Sequence, residues 1–170
     1  MTEIKDLSKE EILELLKDAA VNWLTHDGLW FRAAEEKYGL DVAMELDKAA
    51  WEKFTVLEAK RIRKRLGLRE AGGIPALVQA LKFRLYAHIN VQEITEISAT
   101  RCVFWMKNCR VQEARKRQGL AVFPCQSVGI IEYSGFAKTI DPRIETKCLL
   151  CPPDSHPDET WCAWEFEIAP

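Results

Sequence analysis

The chain has 170 residues, the size of one domain, with 48% hydrophobic and 29% charged side chains, which excludes a disordered or low-complexity polypeptide. A net charge of −2 and a pI near 6.0 leave no global field to recruit nucleic acid or an anionic membrane. No stretch free of charged side chains is long enough to span a bilayer, and the N-terminal MTEIKDLSKEE lacks the basic start and apolar core of a secretory signal. The expectation is a soluble, cytoplasmic protein with no nucleic-acid or membrane partner.

In chain order, Ser8 and Glu11 form a capping box ahead of Ile12, Leu13, Leu15, Leu16, Ala19 and Ala20 at helical spacing. The pattern pauses at Thr25-His26-Asp27-Gly28, restarts over Leu29–Lys37 and stops at Gly39. Asp41 caps a third predicted helix that runs to about Leu66 and ends at Gly67, and Pro75 suits the first turn of a fourth, through about Tyr86. The second half changes period. Val91–Ile97 and Arg101–Lys107 read as strands around a turn near Ser98–Thr100, and Cys109–Gln118 and Gln126–Ile140 as helices. Arg143–Leu150 and Trp161–Ile168 read as two more strands, the last with Cys162, Trp164, Phe166 and Ile168 on one face. The chain is therefore expected to be α+β and a single domain. Residues 1–88 form a helical part, and residues 89–170 a cysteine-rich β-β-α-α-β-β unit with an antiparallel four-stranded sheet.

The cysteines carry the clearest chemical signal. None precedes Cys102, and all six then fall within sixty-one residues. Cys148-Leu-Leu-Cys151, followed by His156 and Cys162, supplies thiolate and imidazole ligands of the kind zinc takes. Cys109 and Cys125 each start a predicted helix, where the dipole favours the thiolate. A zinc site is expected to take four ligands from Cys109, Cys125, Cys148, Cys151, His156 and Cys162; an iron–sulfur cluster lacks a matching cysteine run. Cys102 alternates with Phe104 and Met106 and reads as core. Outside the cysteines, His26 and Asp27 sit beside Trp30 among aromatics, either as a proton-transfer pair in a pocket or as a simple turn and cap. Glu58 shares a stripe with Trp51, Phe54 and Ile62, as a general acid with a raised pKa or as one half of an ion pair at the core edge. Arg115 is a candidate anion contact near Cys109. The five bases within Lys60–Arg65 spread around their helix as a solvated end.

The ordered set of Cys109, Pro124-Cys125, Cys148-x2-Cys151 and Cys162-Ala-Trp-Glu-Phe resembles the C-terminal halves of two groups. These are the four-vinyl-reductase small-molecule-binding domains and the L-2-amino-thiazoline-4-carboxylate hydrolase-like proteins, over about residues 90–168. The runs Cys109–Arg115 and Cys151–Pro157 are similar, with most of the chain, to a family of small cytosolic proteins of bacteria and archaea whose function is unknown. The resemblance implies helices on an antiparallel sheet and dimers formed through N-terminal helices. The departure is the loop Pro152-Pro-Asp-Ser-His-Pro157, which stands where the relatives have a short glycine-aspartate turn, so only the cysteine positions carry over.

The expected function is a small-molecule-binding domain with a cysteine-rich zinc site. The ligand is left open, and His26, Asp27, Trp30, Glu58 and Arg115 are the pocket candidates. One alternative is a hydrolase of a small amide, lactam or thiazoline, with Cys109 or Cys125 as nucleophile and His156 as base. Another is a structural interaction module, so whether the protein is an enzyme stays open. A homodimer is expected, because Trp23, Trp30, Phe31, Trp51, Phe54 and Ile62 exceed what one sheet face can cover.

Overall fold

The computed structural model describes residues 3–169. Three helices come first: α1 (Lys9–Tyr38), α2 (Leu40–Leu66) and α3 (Gly73–Leu81). Then follow β1 (Val91–Thr95), β2 (Arg101–Asn108), α4 (Arg110–Arg117), α5 (Gln126–Ile140), β3 (Ile144–Leu150) and β4 (Cys162–Ile168). The sheet is antiparallel throughout, in the order β1-β2-β4-β3. The α+β architecture is the one expected.

Two helix expectations are corrected. The pause at Thr25–Gly28 does not exist, and α1 runs through it as one thirty-residue helix. Thr25 bonds back through its hydroxyl to the Val21 carbonyl at 2.8 Å, and a single interior glycine costs only about 1 kcal/mol, too little to divide a long packed helix. The fourth predicted helix is shorter than expected. It stops at Leu81, and Arg84 is extended before a 3-10 turn at Leu85–His88, which turns Arg84 into the interior.

Gly39 alone joins α1 to α2, at a φ of 86° that side-chain-bearing residues rarely adopt, and so folds the two into a hairpin. Across it Trp23 stacks on Phe54 and meets Trp51 edge-on, with ring centroids 5.4 and 6.2 Å apart. Of the aromatic and aliphatic residues expected to need a partner molecule, Trp23, Phe31, Trp51 and Phe54 thus turn into a second core cluster, and Ile62 into the main one. Only Trp30 is left out, 69% exposed.

The main core lies between the sheet and α3, α5 and the C-terminal part of α2. Cys102, Phe104, Met106, Trp164 and Phe166 face Leu77, Tyr133, Phe136 and Ile140. Cys102 is fully buried there, as its strand alternation predicts. Pairing of Phe104 with Trp164 and of Met106 with Cys162 brings these side chains onto one face. The ladder slips by one residue between Cys148 and Leu150, and Cys151, the first residue past β3, is buried.

Candidate functional site

A cavity of about 450 Å³ opens where α1, α2, α4 and α5 meet β2 and β4. Each element contributes one face. Leu24, Asp27 and Phe31 come from α1, Asp47 and Trp51 from α2, and Val111, Gln112 and Arg115 from α4. Val128, Gly129, Glu132 and Tyr133 lie along one stripe of α5, and Cys162 and Trp164 are alternate residues of β4. Cys109, Cys125 and Cys151 complete the lining from element ends.

Polar side chains fix the α4 side. Arg115 makes a bidentate pair with Glu35 of α1 at 2.9 and 3.0 Å and donates to the Ala121 carbonyl at 2.8 Å, which holds the Glu35 carboxyl below its usual range. Gln112 accepts from the Phe123 amide at 3.0 Å and donates to the Phe123 carbonyl at 2.8 Å. These two bonds set the orientation of its amide, whose Nε2 stands 3.6 Å from Cys125 Sγ.

Opposite lies an acidic wall. Burial, reinforced by the charges of Asp27 and Glu132, pushes the Asp47 carboxyl up to about 7. Burial also pushes Glu132 up to about 7, against the pull of Arg84, and raises Asp27. Behind this wall Arg84 is buried between Glu58 and Glu132, at 2.9 and 2.7 Å, and its guanidinium lies over the rings of Trp51, Tyr86, Tyr133 and Phe136. The Glu132 contact is an ion pair out of hydrogen-bonding line, so Glu132 Oε1 has no hydrogen-bond donor among the described residues.

The thiols differ from one another. Cys125 and Cys151 stand Sγ to Sγ at 3.6 Å. Either thiol can donate across this contact, which lowers the Cys125 pKa and raises that of Cys151. Burial pushes Cys109 up to about 12. Cys162 Sγ accepts the Trp164 indole N–H at 3.3 Å.

The structure therefore brings Cys109, Cys125, Cys151, Cys162, Asp27 and Arg115 to one cavity and leaves out the other candidates. Cys148 and His156 are not in the lining. Gln126 Nε2 lies 3.7 Å from Cys148 Sγ, and the His156 ring lies 4.7 Å from the Trp161 ring with Nδ1 facing the Pro157 carbonyl. Four of the six candidate ligands, Cys109, Cys125, Cys151 and Cys162, thus line one cavity while Cys148 and His156 lie outside its lining, and no group of three His, Cys, Asp or Glu side chains is set to hold a metal among the described residues. His26 and Trp30 are exposed on α1 and outside the cavity, because α1 is continuous there and points them to solvent. Glu58 takes the ion-pair alternative and sits behind the lining.

Sequence reasoning missed Asp47, Arg84, Gln112 and Glu132. A usable signal existed for Glu132, the one carboxylate of α5, which follows Val128, Ile130 and Ile131, and for Asp47, one helical turn before Trp51.

Fold and site together define an α+β protein with a thiol- and carboxylate-lined cavity between a helical layer and a sheet. The chain belongs to the family of unknown function DUF6125, whose model matches residues 5–168. Comparison with curated proteins and with solved structures returns no match. No helix of the described residues is long and apolar enough to cross a membrane.

Proposed function

We propose that this protein binds a small organic molecule carrying an amine or other cationic group in the cavity. The carrying observation is the trio of Asp27, Asp47 and Glu132 on one wall, across apolar and aromatic lining from the arginines Arg32, Arg110, Arg115 and Arg117 of α1 and α4. Its volume lies in the range of small-molecule sites, roughly 300–1,000 Å³. Asp27 and Asp47 have no ion-pair partner among the described residues and Glu132 shares Arg84 with Glu58, so burial keeps Asp47 and Glu132 near a neutral pKa and a ligand cation supplies the missing charge. The resemblance of the cysteine order to four-vinyl-reductase and thiazoline-carboxylate hydrolase-like domains favours small-molecule binding, without pointing to an amine. Calorimetric titration with small primary amines and neutral analogues of the same shape tests it. Amines are expected to bind with proton release, and more tightly as pH rises through about 7, where Asp47 and Glu132 ionise. Equal binding of the neutral analogues overturns the reading.

Two further readings rest on the thiols. Hydrolysis of a small amide, lactam or thiazoline is supported by the lowered pKa of Cys125, without His156 as its base. Zinc is supported by the Cys125–Cys151 separation, because two thiolates about 2.3 Å from one zinc stand roughly 3.8 Å apart. Cys109 and Cys162 would complete the site only after Cys162 leaves its Trp164 bond. Elemental analysis after anaerobic purification without added metal decides this, and a metal-free chain removes zinc. Six free cysteines fit a reducing, cytoplasmic setting, and the exposed apolar residues of α1 fit a homodimer.

A further inference from the structure

We propose that Cys125 and Cys151 form a dithiol that exchanges with low-molecular-weight disulfides entering the cavity, Cys125 attacking and Cys151 resolving. The proposal goes beyond amine binding and stands on sulfur geometry alone. The two sulfur atoms are 3.6 Å apart and both residues line the cavity, so a small disulfide admitted there meets the pair together.

The surroundings assign the roles. Cys125 lies at the N-terminus of the fifteen-residue helix α5, whose dipole favours a thiolate. The amide of Gln112, locked by its two bonds to Phe123, turns its N–H side toward this sulfur, and the Cys151 thiol faces it as well. Cys151 is only 1% exposed and so is reached from Cys125 more readily than from solvent. Cys162 accepts the Trp164 indole N–H and stands against Cys151, whereas the thiol in contact with Cys125 is Cys151.

In the first step the Cys125 thiolate attacks one sulfur of an organic disulfide RS–SR. A Cys125–SR bond forms, the RS–SR bond breaks, and RS⁻ leaves and takes up a proton. In the second step Cys151 gives up its proton and attacks the Cys125 sulfur. The Cys125–Cys151 bond forms and the second RS⁻ leaves with that proton. One disulfide is reduced to two thiols while the protein pair is oxidised by two electrons, and excess small thiol reverses both steps.

The test uses the reduced full chain and hydroxyethyl disulfide, a neutral probe whose reaction does not depend on cation binding. After alkylation of remaining thiols, peptides are mapped by mass spectrometry without reductant. The expected product is a Cys125–Cys151 cross-link as the main species. Cys151→Ala is expected to stop at one mercaptoethanol adduct on Cys125, and Cys125→Ala to lose the cross-link with no adduct on Cys151. Mapping of the unsubstituted protein needs neither variant to fold. A cross-link between other cysteines, a first adduct elsewhere, or a bound metal that leaves both thiols unreactive overturns the proposal.

Discussion

Asp47 carries much of the electrostatic cost of the cavity. Burial and the facing charges of Asp27 and Glu132 lift its carboxyl from an ordinary 3.8 to about 7, with the Trp51 indole pulling the other way. Between these two values the folded protein holds a proton that the unfolded chain has already released. Stability therefore falls as pH rises through this window and is lowest above about 7. Asp141 has the opposite sign. Arg143 and the Gly73 amide hold it down to about 2, so its contribution is present above 3.8 and lost as pH falls toward 2. Asp47→Asn removes the first penalty. We expect a gain on the order of 1–2 kcal/mol at pH 8 and much less at pH 4, read from urea unfolding at both pH values; equal gains would show that charge is not the cause. The same substitution is expected to weaken amine binding, so stability and binding move in opposite directions.

At the scale of elements, glycines set how closely α5 approaches its neighbours. A methyl group at Gly135 would stand 2.7 Å from Thr55 Cγ2 of α2, and one at Gly129 would stand 2.6 Å from Trp164 Cζ2 of β4. Thr55 also donates its hydroxyl to the Glu132 carbonyl at 2.7 Å, so α2 cannot retreat without losing a buried hydrogen bond. Gly135→Ala and Gly129→Ala are each expected to destabilise by about 1–3 kcal/mol, the clash exceeding a helix-propensity gain of about 1 kcal/mol. Gly28, in α1, has nothing within 4 Å of a built methyl group, so Gly28→Ala is expected to stabilise by up to about 1 kcal/mol. Thermal unfolding of the three variants should give opposite signs, and a stabilising Gly129→Ala would show that α5 and β4 are not held this closely.

For the whole molecule, α1 carries more exposed apolar side chains than any other element among the described residues. Ile12, Leu13, Leu15 and Leu16 in its first turns, and Leu29 and Trp30 further on, are exposed, although the aromatic face of the same helix is satisfied within the chain. The homodimer we propose buries these residues against a second copy. Light scattering at micromolar concentration should then give twice 19.5 kDa, and Leu13→Glu with Leu16→Glu should return it to 19.5 kDa with the fold retained. A parent chain already at 19.5 kDa refutes the dimer. Because the substituted side chains lie outside the cavity lining, amine binding and disulfide exchange should survive the loss of the dimer.

Periodicity and end signals in the sequence by themselves determined a helical first half, a β-β-α-α-β-β second half, and the inward face Cys162-Trp164-Phe166. They also separated Cys102, as core, from the other thiols. These properties are local: a strand or helix shows its buried face in the spacing of its own residues. The alternation of β2 and β4 was legible for that reason, whereas the polar Thr25–Gly28 segment misread as a break depended on what packed beside it. Only the tertiary structure decided which thiols meet, that Cys148 and His156 stay apart from the cavity, and that Arg84 stands between Glu58 and Glu132. The Cys125–Cys151 contact joins residues twenty-six positions apart across the start of α5 and the end of β3, and the Glu35–Arg115 pair spans eighty. No local spacing encodes such neighbours, because they follow from how the helical hairpin lies against the sheet, and that placement is settled by packing summed over the whole core.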